Sequence, residues 1–339
     1  MDGRITPALT RDVSPAVVTA DRARDPRQRF ARFARALIGY TLFVILFGAG
    51  VRITDSGAGC GQHWPTCNGE VLHLPKSLHT LIELTHRLTS GLSVVAILAL
   101  LIGAFRLYPR GHVVRASAVF SFAMILVEAL IGMLIVLMRW VVHDASFGRI
   151  LALPLHLVST ALLTAALTWC AYFASVPDAK RTPLPGAARS LLWLAGLGVL
   201  LVSATGAVTA LGDTVYPVHA SGWAARLQED QGLNAHILQR MRGIHPFFAV
   251  AVAAFVAYVA AVLPGYRASR GVRRASAALA GSVVLQVAAG VVNIWLSAPG
   301  PLQVLHLLLA NVVWISLILL AATMGRADPN VTSPAGAQA

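Results

Sequence analysis

The chain has 339 residues, of which 57% are hydrophobic and only 12% are charged, and its mean hydropathy is +0.70. Soluble domains carry roughly 25% charged residues, so this composition excludes an ordinary soluble domain and indicates a membrane protein in contact with lipid. The net charge of +13 does not indicate a nucleic-acid partner, because the Arg and Lys residues stand between long apolar segments, where positive charge orients membrane proteins.

The first element in chain order is a basic segment, residues 1–34, which lacks an apolar core and is predicted to be a disordered cytoplasmic tail. Eight apolar segments follow, each near the length of about 20 residues that crosses a bilayer. They are predicted at 34–53, 78–105, 116–138, 151–174, 189–211, 242–263, 275–297 and 302–324. Residues 177–188 are predicted as a cytoplasmic linker and residues 326–339 as a second disordered tail. The pattern predicts an all-α polytopic membrane protein with eight transmembrane helices.

The distribution of positive charge predicts the orientation of these spans. The N-terminal tail, alternate loops and Arg326 together hold 19 of the 27 Lys and Arg residues. That side is expected to be cytoplasmic. We therefore predict a multi-pass protein of the cell inner membrane with both termini in the cytoplasm.

The two halves of the chain resemble each other in four ordered matches, separated by 150 to 159 residues. The matched pieces are 128–132 with 286–290, 155–157 with 305–307, Thr54 and Gly57 with Thr209 and Gly212, and His86 with His245. Because both copies begin on the same side, the repeat is parallel. It predicts two pseudo-symmetric four-helix bundles, at residues 35–176 and 189–325.

Four of the eleven histidines lie within predicted spans and recur between the halves: His86, His156, His245 and His306. All four are expected at one depth, near the outer ends of the even-numbered spans. An imidazole in hydrocarbon needs a partner, which a hydrogen bond between helices would supply. Two imidazoles from facing helices are also well placed to bind one haem iron, whereas zinc usually needs three or four protein ligands. We interpret the four as metal ligands arranged in two haem-binding pairs.

Acidic residues accompany the histidines only in the first half. Glu83 precedes His86 by three residues and shares its helix face, while the matching position of the second half is Arg242. Glu128 matches Gln286. This asymmetry indicates that the first site performs chemistry and the second holds a cofactor. A salt bridge from Glu83 to Arg87, and a hydrogen bond from Glu128 between helices, are the structural alternatives.

Four arginines lie near the outer ends of the predicted spans: Arg52, Arg87, Arg139 and Arg242. Arg52 and Arg87, like Glu128, are candidate partners for haem propionates or for protons. Extension of the guanidinium groups toward lipid headgroups is the alternative.

Cys60 and Cys67 lie in a predicted outer loop that is rich in Gly and Pro. An oxidising compartment favours a disulfide between them. A zinc site with His63 is the alternative, but it lacks a clear fourth ligand. Cys170, in the fourth span, is expected to be a small buried residue.

These residues together resemble the haem A synthase family of bacteria and mitochondria. The resemblance lies in Arg52-Ile-Thr-Asp-Ser-Gly57, in Cys60 and Cys67 around Trp64-Pro65, in Glu83-Leu-Thr-His-Arg87, and in the repeated Leu-His-Leu at 155–157 and 305–307. It covers about residues 35–325. It implies an enzyme, a membrane oxidoreductase that oxidises a methyl group of haem O to a formyl group and so makes haem A for terminal oxidases.

The resemblance also implies roles for individual residues. His245 and His306 would bind haem b in the C-terminal bundle, and His86 and His156 would bind or position the substrate haem O. Glu83 would be catalytic, and Cys60 and Cys67 match the paired cysteines of the outer loop. Haem O synthase, a farnesyltransferase, would be the upstream partner. The electron acceptor and homo-oligomerisation stay open.

Two other functions compete. A dihaem b-type cytochrome in quinol electron transfer explains the histidines equally well, but not the Cys–Trp-Pro–Cys loop or the one-sided glutamates. A haem or small-molecule transporter predicts polar residues near the bilayer midplane, whereas these histidines are predicted near one face.

Overall fold

A computed structural model describes residues 25–71, 74–176, 182–217 and 223–326. Within these ranges the chain forms nine α-helices and no β-sheet. The helices are α1 (Pro26–Ile53), α2 (Leu78–Leu107), α3 (Val113–Leu137), α4 (Phe147–Ser175), α5 (Gly186–Val215), α6 (Trp223–Gln231), α7 (Ile237–Tyr266), α8 (Arg270–Trp295) and α9 (Gly300–Met324). All except α6 are long and apolar enough to cross a membrane, which confirms the predicted all-α polytopic architecture with eight spans.

Helix α1 begins earlier than predicted. The Asp25 carboxylate accepts a hydrogen bond of 2.9 Å from the backbone N–H of Arg27, and Pro26 occupies the first turn, where its missing N–H costs nothing. Phe30 and Ala34 are buried in this extension. Residues 26–34, predicted as part of a disordered tail, are therefore helical. The rest of that tail (1–24), residues 177–181 of the predicted linker, and residues 327–339 lie outside the described part.

Capping residues fix the starts of three spans that carry candidate site residues. Ser77 begins α2, Ser146 begins α4 and His236 begins α7, and each side chain accepts a hydrogen bond from a backbone N–H of the first turn. Such caps satisfy donors that a helix leaves unpaired at its start. They set the register at which Glu83 and the histidines enter the bundle.

The helices pack as two rings. In the first half α1 contacts α2, α2 contacts α3, α3 contacts α4, and α4 returns to α1. In the second half α5, α7, α8 and α9 contact one another in the same cyclic order. Each ring has its own buried apolar cluster toward the end of the helices opposite the histidines. The bundle boundaries predicted at residues 177–188 stay a prediction, since part of that segment is not described.

Contacts of α4 with α5 and α9, and of α1 with α9, join the two rings. The indole N–H of Trp314 on α9 donates a hydrogen bond of 2.7 Å to the carbonyl of Ala161 on α4. This arrangement puts the two histidine pairs in neighbouring bundles of a single molecule.

Candidate functional site

The first histidine pair comes from α2 and α4. His86 packs edge-on against Phe47 of α1, with ring centroids 5.7 Å apart, and lies within electrostatic range of His156. In the described part of the chain the Nδ1 atoms of both rings are buried without a hydrogen bond of good geometry. The His156 side chain is nevertheless 34% exposed, although it belongs to a transmembrane helix within a bundle. His156 is therefore accessible, and both rings have a nitrogen that is free to bind a ligand.

The second pair comes from α7 and α9. His245 Nδ1 lies 3.0 Å from the Thr205 hydroxyl on α5, which fixes one ring nitrogen and leaves the other to face a ligand. His306 Nε2 lies 3.1 Å from the amide nitrogen of Gln286 on α8, and among the described residues its Nδ1 has no partner. The two rings are also within electrostatic range of each other.

Glycines on neighbouring helices make room for three of the four rings. A Cβ atom on Gly48 would lie 3.0 Å from His86, one on Gly206 would lie 3.2 Å from His245, and one on Gly290 would lie 3.1 Å from His306. Gly48 and Gly206 are 158 residues apart, the separation that also relates Glu128 to Gln286. None of the three glycines was predicted to line a site, although Gly290 belongs to the matched piece 286–290 of the internal repeat.

The two pairs fit haem better than a bare metal ion. In the described ranges no group of three or more His, Cys, Asp or Glu side chains could hold a metal ion. A haem iron already has four ligands from its macrocycle and needs only one or two from the protein. Paired imidazoles with unpartnered buried nitrogens and glycine-lined space match that requirement.

Glu83 lies between His86 and the outer loop. The side chain is 4% exposed, and both of its oxygens are engaged. Oε2 accepts a hydrogen bond of 2.8 Å from the backbone N–H of Cys60, and Oε1 forms an ion pair with Arg87. Arg87 also donates to the carbonyls of His63 and Thr66. The predicted Glu83–Arg87 pair is thus present, and together the two side chains hold the outer loop against α2.

The outer loop is closed by a disulfide between Cys60 and Cys67, both buried. The bond uses both thiols, so the alternative of a zinc site with His63 does not apply. Cys170 is free and buried, as expected for a small interior residue.

Glu128 of α3 is the second acid near the first pair. Its Oε2 atom is 3.1 Å from His156 Nδ1, but the two groups are not aligned as a hydrogen bond. The hydroxyls of Ser159 and Thr160 on α4 both donate to its carboxylate. The predicted hydrogen bonds between helices are therefore present, and they hold the carboxylate beside a candidate ligand.

Arg52 of α1 is engaged by the second half of the chain. Its guanidinium donates to the Ala210 carbonyl at 2.9 Å and the Thr214 hydroxyl at 2.6 Å, both on α5, and to Gln303 on α9 at 2.7 Å. Its donors thus bridge the two bundles. With Arg87 engaged by the outer loop, both arginines predicted as propionate partners make other contacts.

Arg242 occupies in the second half the place that Glu83 has in the first. It forms a buried ion pair with Asp230 of α6, donates to the Tyr216 carbonyl, and lies 3.6 Å from Asp213. The charge at this position is therefore reversed between the halves. Both side chains nevertheless have the same structural role, since each holds an outer segment against the helix that carries a histidine.

The fold and these residues define a class: an eight-span helical membrane protein with a pair of intramembrane histidines in each half. The chain belongs to the COX15-CtaA family, described as cytochrome oxidase assembly protein, whose profile matches residues 31–318. This match confirms the family indicated by the sequence motifs.

Individual relatives carry two different names. Proteins named "Protoheme IX farnesyltransferase" from two strains of Thermus thermophilus are 40% identical over 295 residues, which is 87% of this chain and 48% of each relative. A protein named "Heme A synthase" from Bacillus mycoides is 38% identical over 106 residues, which is 31% of this chain and 34% of the relative. This chain thus spans about half the length of the Thermus proteins.

Proposed function

We propose that this chain is a haem A synthase, which oxidises a methyl group of haem O to a formyl group in the inner membrane. The observation that carries the proposal is a difference in the group that contacts one histidine of each pair. In the first, a carboxylate oxygen lies 3.1 Å from His156, and in the second an amide nitrogen lies 3.1 Å from His306. One pair is thus equipped with an acid for proton chemistry and the other is not.

In this proposal His86 and His156 hold the iron of the substrate haem O, and His245 and His306 hold haem b. When bound, haem b supplies one-electron redox chemistry that no side chain offers. The Thr205 hydroxyl orients the His245 ring, and Gly48 and Gly206 provide the space beside their histidines. The apolar bundle suits a substrate with an isoprenoid tail.

Oxidation of a methyl to a formyl group, with the oxygen supplied by water, releases four electrons and four protons. The electrons leave to an external oxidant of the quinone or one-electron-carrier class. Glu83 and Glu128 are the acids of the first half that can accept protons, since each lies close to a histidine of that pair. Of the two, Glu83 is proposed as catalytic, from its place on the face of α2 that carries His86.

Farnesyl transfer is the second candidate, favoured by the name of the Thermus relatives. Transfer from a prenyl diphosphate needs carboxylates that bind Mg²⁺ together with the phosphates. The described spans contain only three acids, Glu83, Glu128 and Asp213, on three different helices, and each already contacts groups of this chain. The Thermus proteins also have as much sequence again outside the match. We therefore propose a farnesyltransferase as the upstream partner that supplies haem O.

Expression in cells that make haem O but lack haem A tests the proposal. Extracted haems are separated by chromatography, and the proposal predicts that haem A appears with this chain and not with its His86→Ala variant. A dihaem cytochrome would add only haem B. A farnesyltransferase would instead produce haem O in cells that lack their own. Either result would replace the proposal.

A further inference from the structure

One histidine of each pair contacts a different functional group in the two halves. Glu128 on α3 contacts His156, and Gln286 on α8 contacts His306, each at 3.1 Å. Glu128 and Gln286 are 158 residues apart and occupy matching positions of the internal repeat. The same place beside the histidine therefore holds an acid in one half and an amide in the other.

The first half also contains the groups that fix the acid in this place. The hydroxyls of Ser159 and Thr160 each lie within hydrogen-bonding distance of two acceptors, the Glu128 carboxylate and the carbonyl of His156 one turn earlier. The matching residues of the second half are Leu309 and Ala310, which have no polar side chain. The carboxylate and its two donors therefore form a polar cluster that is specific to the first half.

The two contacts differ in their strength as hydrogen-bond acceptors. A carboxylate oxygen accepts a hydrogen bond from a ring N–H, and this makes an imidazole a stronger electron donor to a bound metal. The Gln286 amide is uncharged, so even its oxygen, which is buried without a partner among the described residues, is a weaker acceptor than a carboxylate. In the described part of the chain His156 Nδ1 has no competing partner, and hydrogen bonds of this kind often become aligned only when the ligand binds.

We propose that Glu128 is a positioning residue that sets the reduction potential of the haem held by His86 and His156 below that of the haem held by His245 and His306. A stronger donor ligand stabilises ferric over ferrous iron. Electrons withdrawn in the first half would then flow toward the second half. This inference rests on the proposed function, because it takes the histidines as haem ligands.

The test is a spectroelectrochemical titration of the full chain, purified with its haems into lipid nanodiscs. A His306→Ala variant, which retains only the haem of the first half, assigns the two titration waves. In Glu128→Gln we expect the ferrous-to-ferric ratio of the first-half haem, at a fixed applied potential, to rise about tenfold. For a one-electron couple this corresponds to an upward shift of the haem reduction potential by about 59 mV. Gln286→Glu should lower the ratio for the second-half haem by a similar factor.

Glu83→Gln is the matched control, because it makes the same chemical change in the same half. Glu83 contacts Cys60 N–H and Arg87 rather than a histidine ring, so its replacement should shift the first-half potential by clearly less than Glu128→Gln does. An equal shift in this variant would overturn the inference, as would an unchanged potential in a haem-containing Glu128→Gln. If Glu128→Gln loses its haem, the Gln286→Glu variant becomes the test. A lowered reduction potential of its second-half haem supports the inference, and an unchanged potential overturns it. Absence of haem from the wild-type chain would instead contradict the proposed function.

Discussion

Glu83 and Arg242 show how one residue position serves both halves of the molecule. Each stands three residues before a candidate haem ligand and holds an outer segment, Glu83 through Cys60 N–H and Arg242 through Asp230. The histidines and the outer segments are thereby linked mechanically. A change at either position is expected to affect the outer segment as well as the neighbouring histidine.

Replacement of Glu83 separates these two tasks. Glu83→Gln keeps an acceptor for Cys60 N–H but cannot take up a proton, so we expect normal haem content and a fall in haem A formation of about 10²–10⁴-fold. Arg87→Gln breaks the same ion pair and keeps the acid. Haem A is measured by chromatography of extracted haems in both variants. Equal losses in the two would show that Glu83 acts only by holding the loop.

The glycines beside the histidines allow a test of the haem sites that leaves the ligands in place. Gly48→Ala should deplete haem, because its Cβ would lie 3.0 Å from the His86 ring. Gly39→Ala on the same helix is the control, since nothing lies within 4 Å of its Cβ. Gly290→Ala and Gly281→Ala on α8 form a second pair with the same expectation. The haem-to-protein ratio of each variant is measured from its absorption spectrum. Equal ratios for a glycine variant and its control would contradict the assigned haem positions.

At the residue scale, the sequence was a good guide to the candidate site residues but a poor guide to their contacts. The helical spacing of Glu83 and Arg87 was enough to predict their ion pair. The contacts of Arg52 with Thr214 and Gln303 could not be predicted, because each joins residues more than 160 positions apart in the sequence. Predicting such a contact requires the packing of the two bundles, which no local pattern specifies.

At the scale of elements, all eight spans could be predicted, because a long apolar segment in lipid must satisfy its backbone as a helix. Helix α6 was not predicted, and it lies in a polar outer segment with no span-like pattern. Its position depends on tertiary contacts: Arg226 donates to the Ile294 carbonyl, and Asp230 pairs with Arg242. Helices this short are marginal alone, so only such contacts stabilise them.

The Asp230–Arg242 pair should therefore determine whether α6 stays in place. Asp230→Asn leaves the Arg242 charge, which is 8% exposed, without its closest partner. Loss of one member of a buried pair typically costs about 3–5 kcal/mol. We expect a lower temperature of haem release and faster proteolysis between residues 216 and 236. A variant as stable as the wild type would mean that α6 is held by other contacts.

At the scale of the whole molecule, two similar bundles place different groups beside their histidines. The rings of helices pack in the same cyclic order, yet among the described residues a carboxylate contacts a member of a histidine pair only in the first ring. Arg52 and Trp314 hydrogen-bond across the interface between them. Neighbouring sites within one rigid unit suit transfer of electrons from a substrate in one bundle to a cofactor in the other.

The proposed orientation of the molecule can be tested with reporter fusions. Positive residues concentrate in the loops on one side, so Arg110 should be cytoplasmic and Trp223 on the outer side. Fusions of alkaline phosphatase and of a fluorescent protein at these two positions should give opposite results. The same result at both positions would contradict an outer location for the disulfide loop and the histidine pairs.

The most direct test of the central claim is the conversion of haem O by the purified full chain. The protein is loaded with haem O, supplied with a quinone as oxidant, and the extracted haem is identified by mass spectrometry. The account predicts a product in which two hydrogens of a methyl group are replaced by one oxygen, formed by the wild type and not by His86→Ala. Two results together would contradict the account. Haem O would be recovered unchanged, and farnesyl diphosphate would be consumed when haem B is supplied in place of haem O.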